Sequence, residues 1–274
     1  MQQEIWELQR MQALNGRTTL VTGASSGIGA AIARELAQRG SDVVLVARRA
    51  DKLERVAEAV RQHGVLAHVI QQDLATPGAL DALQQELAAR ELLVDILVNN
   101  AGWGQASRFL HLPWDQHQAF LQVMLSGVVE LTHKLLPGMQ ERKWGRIMHI
   151  SSLAALLPGT PGDVLYTPTK AFLVKFAQGL NAEVASSGIG VTALCPGYTY
   201  SEFHDVSGTR PKVSKLPAFM WSDSQAVAKA GVDAMLAQQA VAFPGAFNRF
   251  ARGLLSTLPD SAILSLWSKR PSRR

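Results

Sequence analysis

Tyr166 and Lys170 stand four residues apart in SSLAALLPGTPGDVLYTPTK, the stretch from Ser151 to Lys170. On a helix, positions i and i+4 share one face, so the two side chains can meet. A free tyrosine has a pKa near ~10, too high for easy proton exchange at neutral pH, and a nearby ammonium favours the phenolate. The pair therefore suits proton transfer, although a tyrosine and a lysine at this spacing are also common on exposed helices.

A glycine-rich segment, TGASSGIG, lies much earlier in the chain and contains Gly23, Gly27 and Gly29. It follows an apolar run that predicts the first strand and opens a predicted helix. Glycines there permit a tight turn and the close approach of a pyrophosphate to the helix N-terminus. Such a turn can also serve helix–strand packing alone. Its position between the first strand and the first helix is what favours phosphate binding.

Short β-branched runs alternate with longer helical patterns from Thr18 onward. The predicted strands are TLVTG, DVVLVA, AHVIQQ, DILVNN, GRIMHISS and GIGVTALCPG. The helices between them run to about Arg39, from Lys52, from about Ala79, over Gln116 to Leu136, and after Tyr166. This order predicts an α/β fold, a doubly wound parallel sheet with helices on both faces, whose ligands bind beyond the carboxyl ends of the strands.

The predicted domain organisation is a single catalytic domain over residues 17–247. Residues 1–16 form an N-terminal extension, with Ile5, Leu8 and Met11 at helical spacing. Residues 198–220 are irregular and contain two prolines and one glycine, which predicts a substrate loop or lid. Residues 248–274 form an apolar, basic C-terminal tail.

The net charge of +5 lies entirely in this tail, which has six basic residues and one acidic residue. The remainder is neutral by count, so we expect no nucleic-acid partner. The tail also contains several leucines and Trp267, a mixture that favours contact with a partner or a membrane surface. We expect a cytoplasmic protein, either free or attached to the surface of a membrane. The sequence has no apolar run of ~18 residues, the length of a membrane-spanning helix, and the N-terminus carries Glu4 and Glu7 where a signal peptide would be basic.

Cys195 is the single cysteine, and it is interpreted as a small core residue. The seven histidines are scattered without ligand spacing, so no metal is expected.

The second predicted strand ends in Ala47, Arg48 and Arg49, where a carboxylate would bind the adenosine ribose of NAD. A carboxylate would repel a 2′-phosphate, whereas an arginine can clamp it, so NADP is favoured over NAD. The alternative is that the two arginines only begin an exposed helix.

In this order the motifs resemble those of the short-chain dehydrogenase/reductase family, over roughly Gly16 to Pro244. The matching segments are Thr22-Gly23 to Gly29, Asp73, Asn99-Asn100-Ala101-Gly102, Ser151/Ser152, Tyr166 to Lys170, and Pro196-Gly197. The resemblance implies a Rossmann-type sheet of about seven strands and NADP(H) as cofactor. It implies cofactor contacts from Gly23, Ser25, Ser26, Gly27, Ile28, Gly29, Arg48, Arg49, Asp73, Leu74, Asn100, Ala101, Gly102, Tyr166, Lys170, Pro196, Gly197 and Thr199.

The resemblance also assigns the chemistry. Tyr166 would protonate a carbonyl oxygen whose carbon receives hydride, Lys170 would bond the nicotinamide ribose, and a serine would polarise the carbonyl. The family places that serine 13 residues before the tyrosine, where this chain has Leu153. With one residue inserted in the loop, Ser152 becomes the choice and Ser151 the substitute. Tyr198 and Tyr200, near Thr199, are either lid packing or site residues.

One position departs from the family pattern. In LQVMLSGVVELTH the family has an asparagine where this chain has Met124, and that asparagine helps hold a water linked to the lysine. A thioether cannot donate a hydrogen bond. We expect the helix to stay irregular near Ser126-Gly127.

The resulting prediction is an NADPH-dependent reductase of a ketone, aldehyde or 3-oxoacyl group on an apolar substrate, acting as a homodimer or homotetramer. The alternatives are a catalytically impaired cofactor-binding subunit or a peripheral membrane protein.

Overall fold

The structure is a computed structural model that describes residues 13–105, 107–159 and 161–268. The predicted N-terminal helical positions Ile5, Leu8 and Met11 lie outside the described residues, as do the last six residues of the tail.

The centre of the molecule is a seven-stranded sheet in which every paired strand is parallel. Its order is β3-β2-β1-β4-β5-β6-β9, so the chain winds outward from β1 in one direction and then the other. This confirms the doubly wound α/β fold. The strands of this sheet are β1 Thr18–Thr22, β2 Asp42–Ala47, β3 Ala67–Gln71, β4 Ile96–Asn99, β5 Gly145–Ile150, β6 Ile189–Leu194 and β9 Val241–Ala242.

Most of the helices connect these strands and cover both faces of the sheet, while two short ones lie within residues 198–222 and two follow β9. They are α1 Gly27–Gln38, α2 Ala50–Arg61, α3 Ala79–Ala89, α4 Trp114–Leu121, α5 Gly127–Glu141, α6 Tyr166–Val184, α7 Phe203–Val206, α8 Arg210–Val213, α9 Ser224–Leu236, α10 Ala246–Leu255 and α11 Asp260–Ser268.

Successive residues of β1 show how the sheet divides the core. Val21 belongs to a buried cluster with Ile32 of α1 and Met235 of α9. Leu20 belongs to a second cluster, which contains Leu131 of α5. Because side chains alternate across a strand, nearly continuous apolar runs are needed when helices cover both faces. The sequence pattern follows from this requirement.

A continuous helical segment, Trp114–Glu141, crosses one face of the sheet and is not regular throughout. Gln122–Ser126 is a π-helical turn, and the N–H of Gly127 donates to the carbonyl of Gln122. The irregularity expected near Ser126-Gly127 is therefore present, since the π-helical turn ends at Ser126. By length and composition alone this segment could cross a membrane, and 39% of its most apolar window is buried within the fold.

Residues 198–222 leave the sheet and return to their starting point. Their ends pair as two short parallel strands, β7 Tyr198–Thr199 and β8 Trp221–Ser222. The ring of Tyr200 stacks on that of Trp221 with centroids 4.8 Å apart. Tyr198 lies 5.7 Å from the same tryptophan, so both tyrosines pack at the base of this lid.

Candidate active site

The glycine turn is built against the end of β4. Gly23 has a φ of +65°, and a Cβ there would lie 2.8 Å from the Cα of Ala101. The side-chain amide of Asn100 donates to the carbonyls of Thr22 and Gly23 at 2.9 and 3.1 Å. The hydroxyl of Thr22 in turn accepts from the backbone N–H groups of Asn100 and Ala101 at 3.0 and 3.1 Å. The two predicted cofactor motifs are thus bonded to each other.

The N-terminus of α1 has the form that an anion requires. A Cβ on Gly29 would strike the side chain of Asn100, and Gly27 has a φ of +57°, so both positions need glycine. Ser26 occupies the N-cap and its side chain accepts no bond from the helix. The first-turn N–H groups therefore remain able to bind an anion such as a pyrophosphate, and the residues present fit a dinucleotide. Ile28 packs on the core below.

The two arginines after β2 have different surroundings. A terminal guanidinium nitrogen of Arg49 donates to the hydroxyls of Ser25 and Ser26, each at 2.9 Å. Arg48 is more exposed and lies 4.0 Å from the carboxylate of Asp73. Asp73 also accepts a bond from the N–H of Ala75 at 3.0 Å. The structure thus collects cations and hydroxyls beside the glycine turn. Leu74 packs on the adjoining core.

Tyr166 and Lys170 lie beyond the end of β5. Tyr166 begins α6, and Lys170 follows one turn later. The side chain of Ser152 lies close enough to Tyr166 to lower the pKa of the phenol. Lys170 Nζ lies 5.5 Å from the centroid of the Tyr166 ring and donates to the carbonyl of Ile150 at 2.7 Å. The three side chains therefore meet.

The adjacent Ser151 faces another way. Its hydroxyl donates to the carbonyl of Lys170 at 2.7 Å and is buried. Of the serine pair, Ser152 is the one that lowers the pKa of the phenol, and its oxygen accepts from the N–H of Ala154 at 3.1 Å.

Burial dominates the electrostatics of the group. It lowers the pKa of Lys170 to about 8. It raises the pKa of Tyr166 well above its usual value; the neighbouring Ser152 side chain lowers this pKa, and the charge of Asp163 raises it further. The phenol is consequently protonated at neutral pH and can act as a proton donor.

Asp163 was not identified from the sequence. Its carboxylate accepts a bond from the hydroxyl of Thr167 at 2.8 Å, and burial raises its pKa. It therefore holds the first turn of α6, where Tyr166 sits. An aspartate four residues before a threonine at a helix start was the available signal.

The turn after β6 approaches the same site. The N–H of Leu153 donates to the carbonyl of Pro196 at 2.7 Å, and Thr199 Oγ1 donates to the carbonyl of Gly197 at 3.1 Å. A Cβ on Gly197 would strike the buried side chain of Asn248, on α10. Asn248 thus fixes the tail on this turn, a contact that the sequence did not indicate.

Met124 lies in the π-helical turn and is buried. A Cβ on Gly102 would strike its sulfur, so the thioether fills the space beside the NNAG segment. The π-helical turn also packs against α6.

The remaining sequence expectations concern cysteine and metal. Cys195 is a buried free thiol whose pKa burial raises to about 12, as a core residue would be. Among the residues that the structure describes, no three His, Cys, Asp or Glu side chains form a group that could hold a metal ion.

A doubly wound sheet with a glycine turn at β1 and a serine, tyrosine and lysine beyond β5 defines a Rossmann-type oxidoreductase. The chain belongs to the short chain dehydrogenase family, whose pattern it matches over residues 17–211.

Three known proteins show the range of this similarity. The chain is 36% identical over 188 residues to oxidoreductase UcpA of Escherichia coli K12, covering 69% of this chain and 71% of UcpA. A Sphingobium yanoikuyae short-chain dehydrogenase in complex with NADPH superposes with a TM-score of 0.78 at 30% identity, covering 94% and 98% of the chains. A 3-oxoacyl-[acyl-carrier protein] reductase with bound NAD from Brucella melitensis gives a TM-score of 0.73 at 26% identity, covering 86% and 93%.

Proposed function

We propose that this protein is an NADPH-dependent reductase of a ketone, aldehyde or 3-oxoacyl group on an apolar substrate. The observation that carries the proposal is the convergence of three side chains beyond β5: Lys170 Nζ lies 5.5 Å from the centroid of the Tyr166 ring, and Ser152 lies close enough to lower the pKa of the phenol.

Each residue of this group has a separate task in the proposed reaction. The bound dinucleotide supplies a hydride to the carbonyl carbon. Ser152 donates a hydrogen bond to the carbonyl oxygen and holds it against the phenol. Tyr166 gives its proton to that oxygen as negative charge develops there. The ammonium of Lys170 stabilises the resulting phenolate, since an opposite charge nearby favours the ionised form.

The choice of NADPH rests on the chain's own residues, because similar folds are found with NADPH and with NAD. Arg49, Ser25 and Ser26 form a connected cation and hydroxyl cluster beside the glycine turn. An arginine fork matches a phosphate, whereas a ribose diol is normally held by a carboxylate.

The lid supports an apolar substrate. Phe203, at the start of α7, places its ring 5.8 Å from that of Tyr166. A Cβ on Gly104 would lie 3.1 Å from Ser207 and 3.4 Å from the Phe203 ring, so the lid also covers the loop after β4. Substrate reaching Tyr166 must therefore contact an aromatic surface.

The test of the proposal is NADPH oxidation by a panel of carbonyl compounds that ranges from small ketones to aliphatic 3-oxoacyl thioesters. Turnover that is lost in Tyr166→Phe supports the reductase. Cofactor binding without turnover of any compound contradicts it.

Met124 favours one alternative, a cofactor-binding subunit with impaired catalysis, because it stands at the sequence position where the family pattern has an asparagine. We expect instead that a backbone carbonyl of the π-helical turn holds the water, since that turn leaves a carbonyl outside the regular helical bonding. Met124→Asn should then change turnover less than about tenfold, the effect of weakening one hydrogen bond. If the parent and Tyr166→Phe are equally inert and Met124→Asn restores turnover, the alternative is correct.

A second candidate role belongs to the tail. Phe250 is 70% exposed and Leu254 52% exposed on α10, which also carries Arg249 and Arg252. We propose that this face contacts an apolar substrate or the cytoplasmic surface of a membrane. Sedimentation with anionic vesicles, with and without residues 248–274, tests the membrane role, and sedimentation that is independent of the tail contradicts it.

A homodimer or homotetramer is also proposed, and light scattering tests it.

A further inference from the structure

The lid places a carboxylate inside the cation cluster beside the glycine turn. Glu202 accepts a bond from Arg49 at 2.8 Å and from Lys52 at 2.5 Å. Arg49 uses its other terminal nitrogen to bond Ser25 and Ser26. One carboxylate is therefore held by two cations, Arg49 at the N-cap of α2 and Lys52 in its first turn, although it comes from a segment about 150 residues later.

The neighbouring residue brings the lid onto the turn itself. A Cβ on Gly27 would lie 3.0 Å from the Cβ of Ser201. Ser201 thus lies over the N-terminus of α1, and Glu202 lies beside Arg49. The proposed function places the adenosine half of the cofactor at this point. The two cations lower the pKa of Glu202 to about 2, so the carboxylate is charged at neutral pH.

We propose that the Glu202 carboxylate is an internal competitor of the cofactor 2′-phosphate, and that it sets how strongly this protein prefers NADPH to NADH. The inference rests on the proposed function, which assigns the cluster to that phosphate. An anion that already bonds Arg49 and Lys52 must give them up before a phosphate can take both. NADH lacks the phosphate and does not need these cations.

The strength of the contact suits a competitor that can be displaced. The side chains of Glu202 and Arg49 are 41% and 40% exposed, so solvent screens the ion pair. Exposed pairs of this kind change affinities by factors of a few rather than by orders of magnitude. Neutralising Glu202 should therefore tighten NADPH binding by about 3- to 10-fold and leave NADH within about twofold.

The experiment compares the dissociation constants of NADPH and NADH for the parent and Glu202→Gln. Asp205→Asn is the matched control, because Asp205 is an acidic residue of the same lid that pairs with Arg210 instead. It should leave both constants unchanged. An unchanged or smaller NADPH preference in Glu202→Gln overturns the proposal, as does an equal gain in Asp205→Asn.

A double-variant cycle locates the effect. In a background of Arg49→Gln with Lys52→Gln, Glu202→Gln should no longer alter NADPH affinity. Both cations for which Glu202 and the 2′-phosphate compete are then absent. A gain that persists in that background means that Glu202 acts elsewhere and refutes the competition.

Adenosine 2′-monophosphate, compared with adenosine, separates this proposal from the proposed reductase. The probe reports the phosphate site without hydride transfer. If no carbonyl is reduced but Glu202→Gln binds adenosine 2′-monophosphate 3- to 10-fold more tightly, competition holds and only the reductase fails. If carbonyls are reduced and the probe binds both proteins equally, the competition is wrong.

Discussion

Lys170 lies below the Tyr166 ring, with Nζ 5.5 Å from its centroid, and gives a 2.7 Å hydrogen bond to the Ile150 carbonyl. The position of the lysine is therefore fixed by β5. In the proposed reaction the two residues have separable roles, Tyr166 in proton transfer and Lys170 in electrostatic support.

Tyr166→Phe should lower kcat by about 10²- to 10⁴-fold, the contribution of a positioned general acid. The cofactor dissociation constant should change little, because the ring and its packing on Phe203 are retained. Steady-state turnover and cofactor titration measure the two quantities. A Phe variant with parental kcat would remove the phenol from the mechanism.

Lys170→Met should change how stability depends on pH. Burial lowers the Lys170 pKa to about 8 from 10.5, so between these values the unfolded parent binds more protons than the folded one. The parent should accordingly gain roughly 2–3 kcal/mol relative to the variant between pH 7 and pH 10. Urea unfolding of the cofactor-free proteins measures this, and Lys175→Met, on the exposed side of α6, controls for the loss of a lysine. Parallel stability curves would contradict a buried ammonium.

The periodic parts of the fold were predictable because each strand carries its own local pattern. β2, DVVLVA, is apolar at every position after Asp42 because helices cover both of its faces, and its bounds agree with the prediction. The glycine turn and the Tyr166–Lys170 pair were predictable for a similar reason, since each is complete within a few residues.

The contacts of Glu202 and Asn248 were not predictable from the sequence. Glu202 meets Lys52 across 150 residues of chain, and Asn248 meets Gly197 only once α10 folds back. A single acidic or amide residue in an irregular segment has no periodicity, and its partner is set by tertiary structure. Asp163 is an intermediate case, with a local partner but only a weak spacing signal.

Asp163→Asn should lower the pH at which alcohol oxidation, the reverse reaction, becomes active. In that direction Tyr166 must ionise, and the negative charge of Asp163 raises the phenol pKa. Removing the charge should shift the alkaline rise of kcat/KM to lower pH. Thr167→Val is the control, because it removes the hydroxyl that bonds Asp163 but keeps the charge. An unshifted profile in Asp163→Asn would show that the charge does not reach the phenol.

NADPH should bind at least about tenfold more tightly than NADH, a difference that one charge-assisted contact supplies. Arg49→Asp should abolish the preference, and Arg48→Asp should also remove it by placing a carboxylate beside the phosphate. Calorimetric titration with both cofactors measures the ratio. Equal affinities in the unmodified protein would show that the arginines only begin α2.

Deleting residues 256–274 should reduce kcat/KM for long apolar substrates about tenfold more than for small ketones, the equivalent of one to two buried methylene groups. Ile263 of α11 is buried, whereas Leu264 is 41% exposed. Leu264→Ser should therefore reproduce part of the selectivity, while Ile263→Ser should mainly destabilise the fold. Equal losses for both substrate classes, accompanied by a lower melting temperature, would assign the tail a structural role only.

The parallel pairing of β7 with β8 makes the segment between them an exchangeable unit, since its two ends stay together whatever its length. A homologous recombination event between these strands would replace the surface over Tyr166 without altering the sheet. Because Ser201 and Glu202 travel with that segment, the same event would alter the cofactor end of the site. If this segment has the roles proposed for it, substrate range and cofactor preference are inherited together, and selection for a new substrate would also change the preference between NADPH and NADH.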